Sequence, residues 1–272
     1  MTSDIEPTSP SPKSEQADAV LQATTLSCRY GDQILVSKLS LSLNRGEVVG
    51  LLGLNGAGKS TTMRMLCGVL LPDSGTVRVN GFCLSESPLQ ARAHIGFLPD
   101  QPPLYNEMRV AEYLKLTARL RKLTGAAVQR RLAAVIEQCA LGEVQRKLIG
   151  NLSKGFKQRV GLAQAIIHEP AVVLLDEPGN GLDPQQQESM RSLIRSLGEQ
   201  QAVLFSTHVL SEAKASCDRI ALMRDGELET DQLSPNDNLD ALFHGESDSD
   251  GDGDGDGDGD GDGDSDSDSK SG

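Results

Sequence analysis

An alternation of apolar and polar residues marks the start of the ordered part of this chain. It runs over residues 23–30 and 34–43, and the turn-forming pair Gly31-Asp32 separates the two stretches. A period of two is typical of strands that have one buried and one solvated face. The pattern therefore predicts a small antiparallel sheet at the entry to the domain.

Three later stretches are apolar at every position, which is typical of strands covered on both faces of a parallel sheet. They occupy residues 48–52, 171–175 and 202–205. The first runs into a glycine-rich loop and then into a helix that is expected to begin near Lys59, and helical stretches precede the other two. The chain is therefore predicted to be α/β with a mainly parallel sheet.

Residues 108–142 show a different period, which is typical of amphipathic helices. Two apolar stripes at helical spacing are separated by the break at Thr124-Gly125. The first stripe consists of Tyr113, Leu116, Leu120 and Leu123, and the second of Val128, Leu132, Val135, Ile136 and Cys139. The pattern predicts a helical subdomain, at about residues 101–150, inserted into the α/β core.

Both ends of the chain have a composition that favours disorder. Residues 1–22 hold prolines among serines and charged residues, without the apolar stretch of a secretory signal, and are predicted to be a disordered leader. In residues 245–272 glycine and aspartate alternate until serine replaces glycine, which predicts a disordered acidic tail. One domain is then expected to span residues 23–244.

The negative charge is concentrated in the tail. Residues 246–272 hold twelve acidic residues and one lysine, so they account for −11 of the formal charge of −13. The remainder is nearly neutral and gives no electrostatic argument for a nucleic-acid partner. Carboxylates suit Ca²⁺, but the tail lacks the bulky apolar positions of calcium-binding β-helix repeats, which favours a solubilising role.

Cysteine usage and hydropathy indicate the compartment. Five cysteines are scattered without a CxxC pair, and this odd number suits neither a disulfide framework nor a zinc site, so a reducing cytosol is expected. No apolar run reaches the length of about 18 residues that crosses a bilayer as a helix. A role at a membrane would therefore require a separate membrane-spanning partner.

Residues 53–60, GLNGAGKS, fit the phosphate-loop pattern G-x-x-x-x-G-K-[ST] between a strand and a helix. Backbone N–H groups of such a loop surround phosphates, and the helix N-terminus adds partial positive charge. Lys59 is expected to reach the β- and γ-phosphates, and the Ser60 hydroxyl to bind Mg²⁺. The candidate nucleotide contacts here are Asn55, Gly56, Ala57, Gly58, Lys59, Ser60 and Thr61. The alternative is a glycine-rich turn that only starts a helix.

Two adjacent carboxylates, Asp176 and Glu177, follow the second apolar strand at the end where ligands collect in open α/β sheets. Asp176 is expected to hold Mg²⁺, and Glu177 to orient and polarise the attacking water. A solvated strand end would look the same in isolation, but the phosphate loop upstream favours the catalytic interpretation. The predicted fold is thus a P-loop NTPase core with a small antiparallel β subdomain and an inserted helical subdomain.

The segment LSKGFKQR at residues 152–159 makes the pattern specific. It precedes the carboxylate segment, and Gly181-Leu182-Asp183-Pro184 and Ser206-Thr207-His208 follow in order. Over about residues 23–231 this arrangement resembles the ATP-binding subunits of ATP-binding cassette (ABC) transporters. The stretch 95–105, together with Lys154-Gly155-Phe156, looks most like bacterial ABC-2 type exporters.

The resemblance implies roles for residues outside the phosphate loop. Ser153 and Gly155 match the signature motif, which meets the γ-phosphate of ATP held by the other subunit of a head-to-tail dimer, while Ser153 would also cap its own helix. His208 matches the switch histidine, which touches the γ-phosphate and the water-activating glutamate. Asp183 matches the loop that signals between subunits, although an aspartate in a turn would look the same.

Two further positions each have two possible interpretations. Tyr30 falls where the family places an aromatic that stacks on adenine, and an exposed tyrosine at a strand end is the alternative. The family's glutamine that binds Mg²⁺ and senses the membrane partner aligns with Asp100, while the glutamine itself is Gln101. Both are therefore candidate metal ligands.

The resemblance implies an ATPase that uses ATP and Mg²⁺ and forms a homodimer. Its other partner would be a separate integral membrane permease, docked near residues 100–105 and the helical subdomain, at the cytoplasmic face of the inner (plasma) membrane. Two alternatives stay open: a soluble ABC ATPase that acts as a clamp or assembly factor, and a scaffold that binds ATP without splitting it. The transported substrate is not encoded in such a motor.

Overall fold

The computed structural model describes residues 19–237 and 239–244. The strands are β1 Ala19–Tyr30, β2 Gln33–Asn44, β3 Val48–Leu52, β4 Ser74–Val79, β5 Phe82–Cys83, β6 Ile95–Leu98, β7 Val172–Asp176, β8 Ala202–Thr207, β9 Arg219–Arg224 and β10 Glu227–Leu233. The helices are α1 Lys59–Leu66, α2 Pro88–Ala93, α3 Val110–Leu120, α4 Gly125–Gln138, α5 Lys154–Ile166, α6 Pro184–Gly198, α7 Leu210–Ser216 and α8 Leu239–His244.

The larger sheet has the order β10-β9-β3-β8-β7-β6 and is parallel except for the pairing of β10 with β9. The prediction of an α/β fold with a mainly parallel sheet is therefore confirmed. In this order β8 lies between β3 and β7, and Leu52 pairs with Thr207 while Asp176 pairs with Ser206. The carboxyl ends of three strands meet at one edge, where ligands bind in open α/β sheets.

Side chains of β3 show how the sheet is buried on both faces. Val48 and Leu52 belong to one hydrophobic core, and Val49 and Leu51 belong to the other. The first core lies against α3 to α7, and the second lies between the large sheet and the small one. This burial explains why the strand is apolar throughout, and it makes the edge that carries the strand ends rigid.

The small sheet is antiparallel, with the order β2-β1-β4-β5. Its first strand corrects the predicted boundary of the leader, because β1 begins at Ala19 and not at residue 23. Val20 and Leu21 are buried, and Leu21 pairs with Leu43 of β2. These apolar side chains gain more from burial than they would in a solvated leader. The predicted disorder of residues 1–18 and 245–272 lies outside the described residues.

The inserted region contains α3 and α4. The stripe predicted for α4 is confirmed, because all of its residues are buried or packed against the core, whereas the buried face of α3 differs in part from the prediction. In α3 the buried side includes Leu114, Thr117 and Ala118, whereas Leu120 is 72% exposed. The predicted stripe was wrong at Leu120, because the buried face of α3 runs through Leu114 and Ala118. Tyr113 of that stripe is buried, and Leu123 packs against the core. Thr117 can be buried since its hydroxyl donates to the carbonyl of Leu114 at 2.9 Å. None of the helices within the described ranges is both long and apolar enough to cross a bilayer.

Candidate functional site

The phosphate loop joins β3 to α1 in a backbone path that needs glycine at two places. A Cβ atom at Gly53 would lie 2.4 Å from the carbonyl oxygen of Met223. Gly58 has a φ of +102°, and a Cβ there would lie 2.6 Å from the carbonyl oxygen of Leu35. Any larger residue would push the loop away from its neighbours. The loop is thus held by close packing, and it directs the N-terminus of α1 at the strand edge.

Lys59 begins α1 and turns back over the loop. Its side chain is 5% exposed, and Nζ donates to the carbonyl oxygens of Gly53 at 2.9 Å and Leu54 at 3.0 Å. The same Nζ lies 3.7 Å from Oε1 of Glu177. Burial lowers the pKa of Lys59, while the charges of Glu177 and Asp176 oppose that shift. A buried cation is therefore held at the centre of the site by carbonyl groups and carboxylates.

Asp176 ends β7 and is almost completely buried. Its Oδ1 accepts from the Ser60 hydroxyl at 3.1 Å and from the Ser206 hydroxyl at 2.7 Å. Oxygen atoms are the ligands that Mg²⁺ prefers, and octahedral coordination places neighbouring ligands close together. The carboxylate of Asp176 and the hydroxyl of Ser60 therefore fit two ligands of one Mg²⁺ ion.

Glu177 is held in a conformation that side chains rarely adopt. Its φ is +47°, and its N–H donates to Oγ of Ser206 at 3.0 Å. Its Oε2 lies 3.3 Å from Nδ1 of His208, a close approach without hydrogen-bond geometry, since within the described chain that nitrogen has no hydrogen-bond partner. Such backbone strain costs about 1–3 kcal/mol and concentrates at functional sites. The carboxylate thus lies between a lysine and a histidine.

No role was predicted for Ser206, which lies two residues before His208. This fully buried serine bonds to both adjacent carboxylate residues, donating to Asp176 and accepting from the backbone of Glu177. Its role depends on the pairing of β7 with β8, which brings Ser206 opposite Asp176. In the sequence, the signal for this role was a small hydroxyl residue at the end of a buried strand.

The substitution Ser206→Ala should lower the free energy of unfolding by about 1–3 kcal/mol, because it leaves buried partners of the hydroxyl unsatisfied. ATPase activity should fall as well, since Glu177 loses the bond that holds its backbone. Urea denaturation and phosphate release measure the two effects. Ser192→Ala is the matched control, since that exposed hydroxyl donates only to the carbonyl of Glu188 in its own helix. Equal effects of the two substitutions would contradict this role.

The structure links Asp100 to the loop that carries Glu177. Oδ1 of Asp100 accepts from Nδ2 of Asn180 at 3.2 Å, and the Asn180 N–H donates to the carbonyl of Glu177. Gln101 is exposed. Within the described chain, neither candidate makes a hydrogen bond to Asp176 or Ser60. This contact was not predicted, and it places the side chain of Asp100 against the loop that follows Glu177.

Signature residues occupy a second cluster. Ser153 caps α5, with its Oγ accepting from the N–H of Phe156 at 3.4 Å, and Asp183 caps α6 by accepting from the N–H of Gln186 at 2.9 Å. Gln186 also packs against Gly155, where a Cβ atom would lie 2.0 Å from its Oε1. No described hydrogen bond or ion pair joins this cluster to the phosphate loop of the same chain.

Tyr30 stands apart from both clusters. It ends β1 with 80% of its surface exposed, and its ring stacks on no other described ring. An exposed tyrosine of this kind can stack on a base, and it can also be a simple strand end. The contact of Tyr30 with adenine therefore stays a prediction.

Comparison with known proteins places the chain in a family. The profile of the family described as ABC transporter matches residues 36–180. The ABC transporter ATP-binding protein YxlF of Bacillus subtilis is 41% identical over 209 residues, covering 77% of this chain and 69% of its own. The chain belongs to the ABC transporter family. It is the ATP-binding subunit of an ABC transporter, and its ABC domain is a P-loop ATPase.

Two other similarities extend the comparison of this ABC domain. The bacitracin transport ATP-binding protein BcrA of Bacillus licheniformis is 35% identical over 211 residues, covering 77% of this chain and 68% of its own. A solved structure, described as the ATP binding subunit of an ABC transporter, has a TM-score of 0.72 and 32% identity, covering 79% of this chain and 90% of its own. The similarity in structure thus spans most of both chains.

Proposed function

We propose that this ABC subunit powers an exporter of the ABC-2 type by closing into a head-to-tail dimer around two ATP molecules. The proposal rests on the division of the site into two clusters within one chain. Lys59, Asp176 and Glu177 form one cluster, while Ser153 and Gly155 lie in another that has no described bond to the phosphate loop. A second copy could supply the missing half of each site, as groups supplied in trans do in other phosphoryl-transfer sites.

The residues of the first cluster suit hydrolysis of the terminal phosphate. Glu177 would accept a proton from the attacking water, with His208 beside its carboxylate and Lys59 stabilising charge on the β- and γ-phosphates. The remaining contacts to the phosphates would come from Asn55, Gly56, Ala57, Gly58, Ser60 and Thr61. Mg²⁺, held by Ser60 and Asp176, would neutralise phosphate charge when bound. Of the two further candidate ligands, Asp100 is favoured over Gln101 by its bond to Asn180.

The membrane partner would dock on the surface formed by residues 100–105 and the helical region. Tyr105 and Leu120 are 52% and 72% exposed there, as apolar contacts of a missing partner would be. The subunit would then lie at the cytoplasmic face of the inner membrane, peripheral through that partner. Bacitracin transport is part of the name of BcrA, and linearmycin resistance is part of the name of a relative from Bacillus subtilis. Both names support the exporter type.

Complementation between two inactive variants tests the shared site. Ser153→Asp keeps a good helix cap but places negative charge where the γ-phosphate of the partner's ATP would lie, and Lys59→Ala disables the phosphate loop. Each variant alone should be nearly inactive. A mixed dimer holds one intact composite site, so an equal mixture should recover up to about a quarter of the wild-type ATPase rate by random pairing.

The control is an equal mixture of two separate preparations of Lys59→Ala, which should stay inactive. Phosphate release at several protein concentrations gives the readout, and the recovered rate should rise with concentration as dimers form. A mixture no more active than its components would overturn the proposal of a shared site.

A further inference from the structure

A groove of about 280 Å³ runs beside the start of α5 and is lined by residues of two segments. One segment contributes Asp100, Gln101, Pro102, Leu104 and Asn106, and α5 contributes Lys154, Lys157 and Gln158. Its lining therefore combines two apolar residues, Pro102 and Leu104, with two lysines. Asp100 and Gln101 are the two further candidate metal ligands, and the other lining residues have no part in the nucleotide chemistry described above.

Gln158 gives the groove an unsatisfied acceptor. The residue is 1% exposed, and its Nε2 donates to the carbonyl oxygen of Asp100 at 2.7 Å. That bond fixes the orientation of the amide, because a carbonyl can accept only from the NH₂ group. Its Oε1 is consequently a buried acceptor that has no partner within the described chain. Leaving such an atom unpaired is unfavourable, so a ligand with an N–H donor would be stabilised here.

The charged groups of the groove favour an anionic ligand. Lys154 and Lys157 lie three residues apart on α5 and therefore on one face of the helix. Asp100 is the acid among the lining residues, and its Oδ1 already accepts a hydrogen bond from Asn180. The ligand that fits combines carboxylates for two lysines with an N–H group for the amide oxygen.

The chain itself contains a segment of that chemistry. Between Asp250 and Asp264 every second residue is aspartate and every other one is glycine. In an extended segment, residues two apart are separated by roughly 7 Å, which is comparable to the distance of about 5–6 Å between neighbouring Cβ atoms on one face of a helix. Glycine has no side chain, so its N–H can approach a buried oxygen closely.

We infer that the acidic tail of this protein binds in the groove of its own chain, with aspartates on Lys154 and Lys157 and a glycine N–H on Oε1 of Gln158. Length permits the contact. The tail has 28 residues after His244, and at about 3.3 Å per residue it reaches roughly 90 Å when extended. A folded domain of this size has a radius of gyration of about 17 Å.

Binding of the tail would have a consequence for assembly. The groove shares residues 100–104 with the surface on which we propose that the membrane partner docks. The tail would compete with that partner and leave the subunit free until the permease displaces it. This consequence depends on the proposed function, whereas the contact between tail and groove does not.

Zero-length carbodiimide cross-linking of the dilute full-length protein tests the contact, since it joins a carboxylate to a lysine amine that it touches. Peptide mapping should find tail aspartates joined to Lys154 or Lys157 in monomers. The yield of cross-links at these two lysines should be on the order of tenfold higher than at the exposed Lys122 and Lys147. The reason is that two surface ion pairs contribute up to about 1 kcal/mol each. At 1 M salt the Debye length falls to about 3 Å and the preference should disappear.

Equal labelling of all exposed lysines, or cross-links found only between chains, would overturn the inference. A second measurement is acetylation of lysines in wild type and in a full-length variant whose aspartates at 250–264 are asparagine. Lys154 and Lys157 should react several-fold faster in the variant, with Lys122 and Lys147 unchanged; no difference would also overturn it. The complementation assay reports the proposed function independently, so the two failures are distinguishable.

Discussion

The substitution Glu177→Gln should lower the rate of ATP hydrolysis by about 10²–10⁴-fold while leaving ATP binding intact, the usual range for loss of a general base. Glutamine keeps the size of the side chain, so the contacts around Lys59 and His208 can persist. It cannot accept the proton of the attacking water at neutral pH. Because ATP then stays bound, the closed dimer should accumulate. Phosphate release gives the rate, and light scattering or sedimentation with MgATP gives the dimer.

The control for this substitution is Glu188→Gln, the same change at an exposed glutamate of α6. Oε2 of Glu188 accepts from Arg191 at 2.6 Å, which is a surface pair of small energetic weight. Its hydrolysis rate and its dimerisation should match those of the wild type. Normal turnover in Glu177→Gln would remove Glu177 from the catalytic role.

The substitution Lys59→Ala should act one step earlier and weaken ATP binding itself, raising the Kd on the order of 10²-fold. Removing one partner of a buried charge pair costs about 2–5 kcal/mol, and Lys59 would be the cation that pairs with the β- and γ-phosphates of bound ATP. Calorimetric titration with ATP measures the effect. The hydrolysis rate should fall together with the affinity, in contrast to the result expected for Glu177→Gln.

Loss of the fold could imitate loss of binding, because Lys59 also donates to two carbonyl groups of its loop. Urea denaturation of the variant separates the two cases. Lys147→Ala, a change of the same kind at an exposed lysine, should alter neither affinity nor stability. A folded Lys59→Ala protein that binds ATP as tightly as the wild type would contradict the role of this lysine.

The order of the motifs along the chain made part of the site predictable. A strand that is apolar throughout must be buried on both faces, so the stretches before Lys59, Asp176 and His208 had to belong to one parallel sheet. Parallel strands bring their carboxyl ends to the same edge, which is where these side chains lie. The start of β1 was missed because the first apolar residues of the strand follow a polar leader without a break.

Contacts between strands and loops were not predictable in the same way. The bonds of Ser206 to both acidic residues depend on the order β3-β8-β7 and on its register, which no local pattern specifies. The link from Asp100 to Asn180 and the unpaired oxygen of Gln158 are equally invisible along the chain. Each arises where segments about 30 to 80 residues apart pack together.

The sequence by itself determined the α/β class, the phosphate loop and the chemical groups available for hydrolysis, because periodicity and loop geometry are local properties of the backbone. Tertiary structure decided which groups touch: Lys59 with Glu177, Ser60 and Ser206 with Asp176, and Gln186 with Gly155. Within the described chain, no hydrogen bond or ion pair links Ser153 to the phosphate loop. The physical reason is that hydrogen bonds and ion pairs act over about 3–4 Å, and only packing of the sheet and helices brings distant residues that close.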